Sequence, residues 1–149
     1  MSSAANSTYV YVTYIKSTPE KVWEALTSDK FTKQFWFGCI QETDWKAGSK
    51  WTLRYPDGMI TDTGEVLEID PPKRLVLKWR NEFKPELKAE GFSRCTMTLE
   101  PTGGAVKLTI SHQIDVPGAK FIEAVGGGWP MVLSNLKSLL ETGAIAVTR

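Results

Sequence analysis

Residues Ala119–Gly143, AKFIEAVGGGWPMVLSNLKSLLETG, decide the fold. Phe121, Ile122, Val125, Trp129, Val132, Leu133, Leu136, Leu139 and Leu140 recur at steps of three and four. That recurrence is the apolar face of an amphipathic helix. The three glycines cost a helix about 3 kcal/mol relative to alanine, and the interior Pro130 about 3 more. Yet the apolar phase does not slip across them. The pattern predicts one continuous but kinked helix from about Pro117 to Thr142, with the bend absorbed at Gly126–Gly128 and Gly143 just past its end. At 1.5 Å per residue it is about 39 Å long, enough to cover a whole sheet. Gly128 shares the face of Val125 and Trp129, so room is expected beneath the helix at that point, with Trp129 pointing inward.

The face this helix must cover comes from the segment before it. Between Gly38 and Val116 the candidate strands CIQETDW, KWTLRY, ITDTGEVLEI, RLVLKWR, GFSRCTMTLE and AVKLTISHQI alternate with the turns KAGS, YPDGM, DPPK and EPTGGA. Connections this short force antiparallel neighbours. Within the strands Val106, Leu108, Ile110 and Ile114 share one side, as do Cys95, Met97 and Leu99, and Leu75, Leu77 and Trp79. One face is therefore apolar and the other solvated. NEFKPELKAEG is the one longer connection, charged and expected to be mobile.

Upstream, TYVYVTYIKS reads as a first strand. STPEKVWEALTS follows as a helix capped by Ser17 or Thr18, with Pro19 in its first turn. SDKFTKQFW gives a second short helix, with Ser28 as its candidate cap and Phe31 and Phe35 one turn apart. Residues 1–8 read as a disordered lead-in without the basic and apolar regions of a signal peptide. Residues 9–143 read as a single domain and 144–149 as a tail.

Composition narrows the function classes. The 42% hydrophobic and 23% charged fractions are those of a globular domain, and the apolar runs fall short of the roughly 20 residues of a membrane helix. A formal net charge of +1 offers no footprint for nucleic acid or an anionic membrane. Lys73, Arg74, Lys78, Arg80, Lys84 and Lys88 cluster, but Glu82, Glu86 and Glu90 interrupt them, so they read as a solvated face. No phosphate-binding or dinucleotide fingerprint occurs. Cys39 and Cys95 show no ligand spacing, and with a single histidine no metal site and no cofactor is expected. A reduced, cytoplasmic chain is the simplest reading.

The order of one strand, two short helices, six antiparallel strands and a long final helix resembles the START-like (SRPBCC) superfamily. STPEKVWEALTS with FW, GEVLEIDPPKRLVLKW and GGWPMVLSNLKSLLE carry the resemblance. Together they are similar to the branch named after the C-terminal domain of the activator of heat-shock protein ATPase. The resemblance implies an α+β, helix-grip fold: a curved antiparallel sheet of about seven strands around the C-terminal helix, with a cavity between them. Members of the superfamily include a co-chaperone domain, polyketide cyclases and dehydratases, and carriers of lipids and hormones. The chaperone activator works with a further N-terminal domain that nothing before Tyr9 is expected to supply, so its role is not carried over.

Candidate site residues are those on or near the elements that face the helix, and those that strand parity turns inward. Trp36, Phe37, Tyr55, Trp79 and Trp129, with Trp51, are placed to line an apolar pocket, and such pockets measure about 300–1,000 Å³. Cys95, Met97 and His112 face the same side. His112, the only histidine, is the candidate for a ligand contact or for an acid or base. Asp62 points inward if the phase of Ile60 and Val66 holds. However, Leu67 and Ile69 fall on the opposite register and imply a bulge or twist, while Arg80 is outward. Both charges read as solvated strand ends. The expected function is binding of a small hydrophobic molecule. The alternatives are a cyclase- or dehydratase-type enzyme using His112, or a module binding a protein partner or a second copy of itself.

Overall fold

The computed structural model of the chain describes residues 6–148. The sheet has the strand order β1-β7-β6-β5-β4-β3-β2 and is antiparallel throughout. Its strands are β1 (Ser7–Ile15), β2 (Ile40–Glu42), β3 (Lys50–Arg54), β4 (Ile60–Asp70), β5 (Arg74–Asn81), β6 (Ser93–Thr102) and β7 (Ala105–Ile114). Helices α1 (Pro19–Thr27) and α2 (Asp29–Phe35) follow β1, the short α3 (Pro85–Lys88) follows β5, and α4 (Lys120–Thr142) closes the chain. This is the α+β helix-grip architecture expected from the sequence.

Each element forms for a local reason. Thr18 caps α1 by accepting the Lys21 amide, and Pro19 occupies the first turn, where no backbone donor is lost. Ser28 precedes α2 as expected, but its side chain makes no capping bond; its carbonyl accepts the Thr32 hydroxyl instead. On the inner face Val66, Gly64 and Asp62 of β4 stand opposite Leu77, Trp79 and Asn81 of β5. The register then shifts between Val66 and Glu68, the bulge implied by the opposite phase of Leu67 and Ile69. Gly64 also lies between Trp51 and Trp79 in the ladder. A Cβ there would sit 1.6 Å from the Lys78 carbonyl oxygen, so no side chain fits, and the two indole rings meet with centroids 4.5 Å apart.

Helix α4 begins at Lys120, three residues later than expected, and runs through Pro130 to Thr142, with Gly143 in the left-handed conformation at its C-terminus. Phe121, Ile122, Trp129, Val132, Leu133 and Leu136 are buried. The three glycines do different things. A Cβ on Gly126 would come within 3.2 Å of the Tyr9 ring, whereas Gly127 and Gly128 have nothing within 4 Å. Gly127 is exposed, and Gly128 borders the open space described below.

Two readings are corrected. β1 starts at Ser7, inside the expected lead-in, and the Ser7 hydroxyl donates to the Val116 carbonyl at 2.6 Å while accepting the Ala119 amide. The lead-in reading for residues 1–5 lies outside the described residues. The charged β5–β6 connection is not a free loop. It folds into α3, buries Leu87, and aims the Glu90 carboxylate at the α4 N-terminus, where it accepts the Lys120 and Phe121 amides at 2.9 Å each. Ala119 has no side chain to cap α4, so an acid from another element does it. Beyond α4, the buried Asn135 side chain accepts the Ala146 and Val147 amides and donates to the Val147 carbonyl, fastening the segment after the helix.

These contacts predict opposite effects on stability. Glu90→Ala should lower the free energy of unfolding by about 1 kcal/mol, as cap loss does. Gly127→Ala should raise it by about 0.5–1 kcal/mol, with Gly126→Ala less favourable because of Tyr9. Urea unfolding of the three variants checks the order.

Candidate functional site

A cleft of about 200 Å³ lies between α4 and the sheet where β3, β4 and β5 end nearest the α2–β2 turn. It is smaller than the range expected of such pockets. Trp36, Phe37, Tyr55, Trp79 and Trp129 all line it. Gly128 lines it too, beside Val125 and Val132. The open space beneath the helix therefore lies at Gly128.

Local backbone geometry presents these rings. Phe37 has a φ of 52° and Gly38 a φ of 83° in the turn after α2. The left-handed region costs a side chain with a Cβ about 1–2 kcal/mol, and the turn is held by bonds from the Gly38 amide to the Lys33 carbonyl and from the Cys39 amide to the Trp36 carbonyl. Trp36, Trp79 and Trp129 form a mutual cluster with centroids 5.4–5.9 Å apart. Both wall indoles are fixed through nitrogen. Trp79 Nε1 donates to Asp62 Oδ2 at 2.7 Å, and Trp129 Nε1 donates to His112 Nδ1 at 3.1 Å. Two of the three indoles lining the cleft thus have their N–H groups already satisfied.

His112 is corrected from pocket residue to scaffold. It is fully buried and does not line the cleft. Because Nδ1 accepts from Trp129, the proton sits on Nε2 and is donated to Ser93 Oγ at 2.8 Å. Ser93 in turn donates to the Trp79 carbonyl at 2.8 Å, so both ring nitrogens are used. Burial pushes the imidazole down to about 3, so it is neutral at physiological pH. This arrangement removes it as acid or base and makes it the post that holds Trp129. Cys95 and Met97 are likewise buried away from the cleft, and burial pushes the Cys95 thiol well above its usual range, against nucleophilic chemistry. Trp51 also lies outside the lining, with its indole donating to Gln41 Oε1 at 3.0 Å.

Asp62 is the larger correction. It is not a solvated strand end: it is 8% exposed and lines the cleft on its sheet side. Burial raises its carboxyl above the usual carboxylate range. Hydrogen bonds from Thr61, Trp79 and Asn81 act the other way, and the charge of Glu82 adds to the rise. Arg80 is half-buried on the outer face, over the Phe92 ring and paired with Glu82 at 2.7 Å. That pairing draws the Glu82 carboxyl down to about 2. Thr61, Asn81 and Lys84 complete the polar part of the lining. Inward parity with Val66 was the one sequence signal for Asp62; Ile60 does not share it, because a register shift against β3 separates Ile60 from Asp62 and leaves Ile60 exposed, in addition to the bulge after Val66. Among the described residues no group of acids, histidines and cysteines is arranged to hold a metal ion, and no helix is long and apolar enough to cross a membrane.

Fold and site together define a START-like helix-grip domain with an aromatic cleft under its last helix. Residues 16–141 match the family described as activator of Hsp90 ATPase homolog 1-like protein, and the chain belongs to that family. Protein MLL2253 from Mesorhizobium loti shares the fold with a TM-score of 0.77 and 25% identity, over 91% of this chain and 97% of that one. The Aha1 dimer from Colwellia psychrerythraea matches with a TM-score of 0.75 and 21% identity, over 92% and 98%. PFC0360w, an Hsp90 activator from Plasmodium falciparum, matches with a TM-score of 0.72 and 23% identity, over 89% and 95%. None of the curated proteins matches the chain.

The tautomer and charge of His112 are directly observable, because it is the only histidine. Its imidazole resonances should show the Nε2–H tautomer and stay flat from pH 8 to pH 5, where a midpoint near 6.5 would contradict the geometry. The linkage has one sign. A base held below its unfolded value stabilises the fold above pH 6.5, and that contribution fades as pH falls toward 3. In the window from pH 6.5 to 5, above the ordinary carboxylates, stability should fall by no more than about 1.4 kcal/mol per pH unit.

Proposed function

We propose that the protein binds a small apolar ligand, of one or two rings, in the cleft between α4 and the ends of β3–β5. The observation that carries this reading is the cleft itself: three interlocked indoles, two of them with their N–H groups already paired, beside a glycine with open space where its side chain would be. Size limits the ligand. An engineered cavity of about 150 Å³ accommodates benzene, so about 200 Å³ suits a single ring with a short substituent or two fused rings, not a lipid or a four-ring polyketide. Fixed rings also keep the ordering cost of binding low.

A second reading, a protein-interaction module, draws support from β1. This edge strand exposes Val10 at 56%, Val12 at 43% and Tyr14 at 50% along one face. Sedimentation of the native chain and of a Val10→Lys, Val12→Lys variant tests it: an oligomer in the first that dissociates in the second favours the module.

The binding reading is tested with toluene. Saturable shifts are expected in the indole N–H resonances of Trp79 and Trp129. Gly128→Leu fills the cleft while replacing a poor helix former with a good one. It should weaken toluene binding at least tenfold without lowering Tm, and undiminished binding in that variant overturns the reading.

A further inference from the structure

We infer that the ligand carries a protonated amine, held by the Asp62 carboxylate, with its apolar body against the Trp36, Trp79 and Trp129 rings. This rests on the cleft being a binding site, as proposed above.

The first ground is the company Asp62 keeps. It lines the cleft and is 8% exposed, yet among the described residues it has no cationic partner. The Trp79 indole donates to it, and the polar neighbours Thr61 and Asn81 beside it are likewise neutral. Neutral donors orient a carboxylate without cancelling its charge, and a buried charge left unpaired is costly. Nearby, Glu82 makes the local potential more negative. The other titratable groups of the lining are Cys39, Tyr55 and Lys84. Lys84, the one cation among them, is exposed and stands 5.9 Å from the centroid of the Phe83 ring. From α4 the cleft receives only uncharged side chains, among them Phe121, Val125 and Trp129.

The second ground is the walls. Indole faces attract cations, and an ammonium among several aromatic rings is a recurring mode of recognition. Here three indoles stand within 6 Å of one another around a site with a single acid. A metal ion fits poorly, because Asp62 is the only carboxylate in the lining and hard cations need several oxygen ligands. An anionic ligand would face like charge. A neutral apolar ligand would seal the carboxylate from water without a counter-charge. A primary amine on one ring and a short chain satisfies both the acid and the volume.

The test uses three probes with the same phenyl and two-carbon frame on the full chain at pH 7.5: 2-phenylethylamine, 2-phenylethanol and phenylacetate, with affinities from calorimetry. The native protein should bind the amine at least tenfold more tightly than the alcohol, and phenylacetate most weakly. Asp62→Asn keeps an oxygen for the Trp79 indole. It should erase the preference for the amine while leaving alcohol affinity within about threefold. Equal affinities in the native protein, tight phenylacetate binding, or a preference that survives Asp62→Asn overturns the amine inference and leaves the cleft as a binding site. Absence of binding by all three probes overturns both. The ranking of probes on the native protein decides the matter even if the variant fails to fold.

Discussion

The hydrogen bond from the Trp129 indole to His112 ties the long helix to the middle of the sheet, and the cleft depends on it. His112 lies on β7, between β1 and β6, and its other nitrogen reaches Ser93 on β6, which reaches the Trp79 carbonyl on β5. One chain of bonds therefore runs from α4 across three strands. It ties together two of the three indoles that line the cleft, Trp79 and Trp129. Buried polar networks of this kind stabilise little on average, but a fully satisfied one specifies a unique arrangement. No buried side-chain polar atom among the described residues lacks a partner.

A second constraint acts at the ends of α4. The helix contains its worst formers, yet Glu90 caps its start and Gly143 closes its end, while Gly126 permits close approach to Tyr9 on β1. Burial of its apolar face against the sheet offsets an intrinsic cost of several kcal/mol. The glycines are thus the means by which one helix packs tightly at Tyr9 and stands clear at the cleft one half-turn later. Both properties are needed for a stable domain with a space inside it.

Most of the fold was legible because it is written in period. Alternation placed Cys95, Met97 and Leu99 inward, and the helical phase carried α4 through Pro130. Period placed Trp79 and Trp129 on the covered side, whereas Trp36 and Phe37 lie in the turn after α2 and Tyr55 just past β3, where no period applies. Parity could not show where along the inner face the helix stands clear. Cys95, Met97 and His112 share the inward side but lie on β6 and β7, which contribute nothing to the cleft. His112 became a structural residue only once Trp129 and Ser93, distant in sequence, were brought to its two nitrogens. Asp62 was masked by its chemistry: a charge near a strand start is ordinarily solvated, and its burial depends on Trp79 and Asn81 of the neighbouring strand. Glu90 looked like one acid in a charged loop, since nothing local reveals that it meets a helix start thirty residues on.

A crystal structure of the protein soaked with 2-phenylethylamine tests the preformed cleft and its one acidic contact most directly. The ring is expected beside Gly128 and Trp129, with the nitrogen within hydrogen-bond distance of Asp62 and the Trp79 and Trp129 indoles unmoved. Density for the probe only elsewhere on the molecule, or a ring in the cleft with its nitrogen turned away from Asp62 toward solvent, would contradict it.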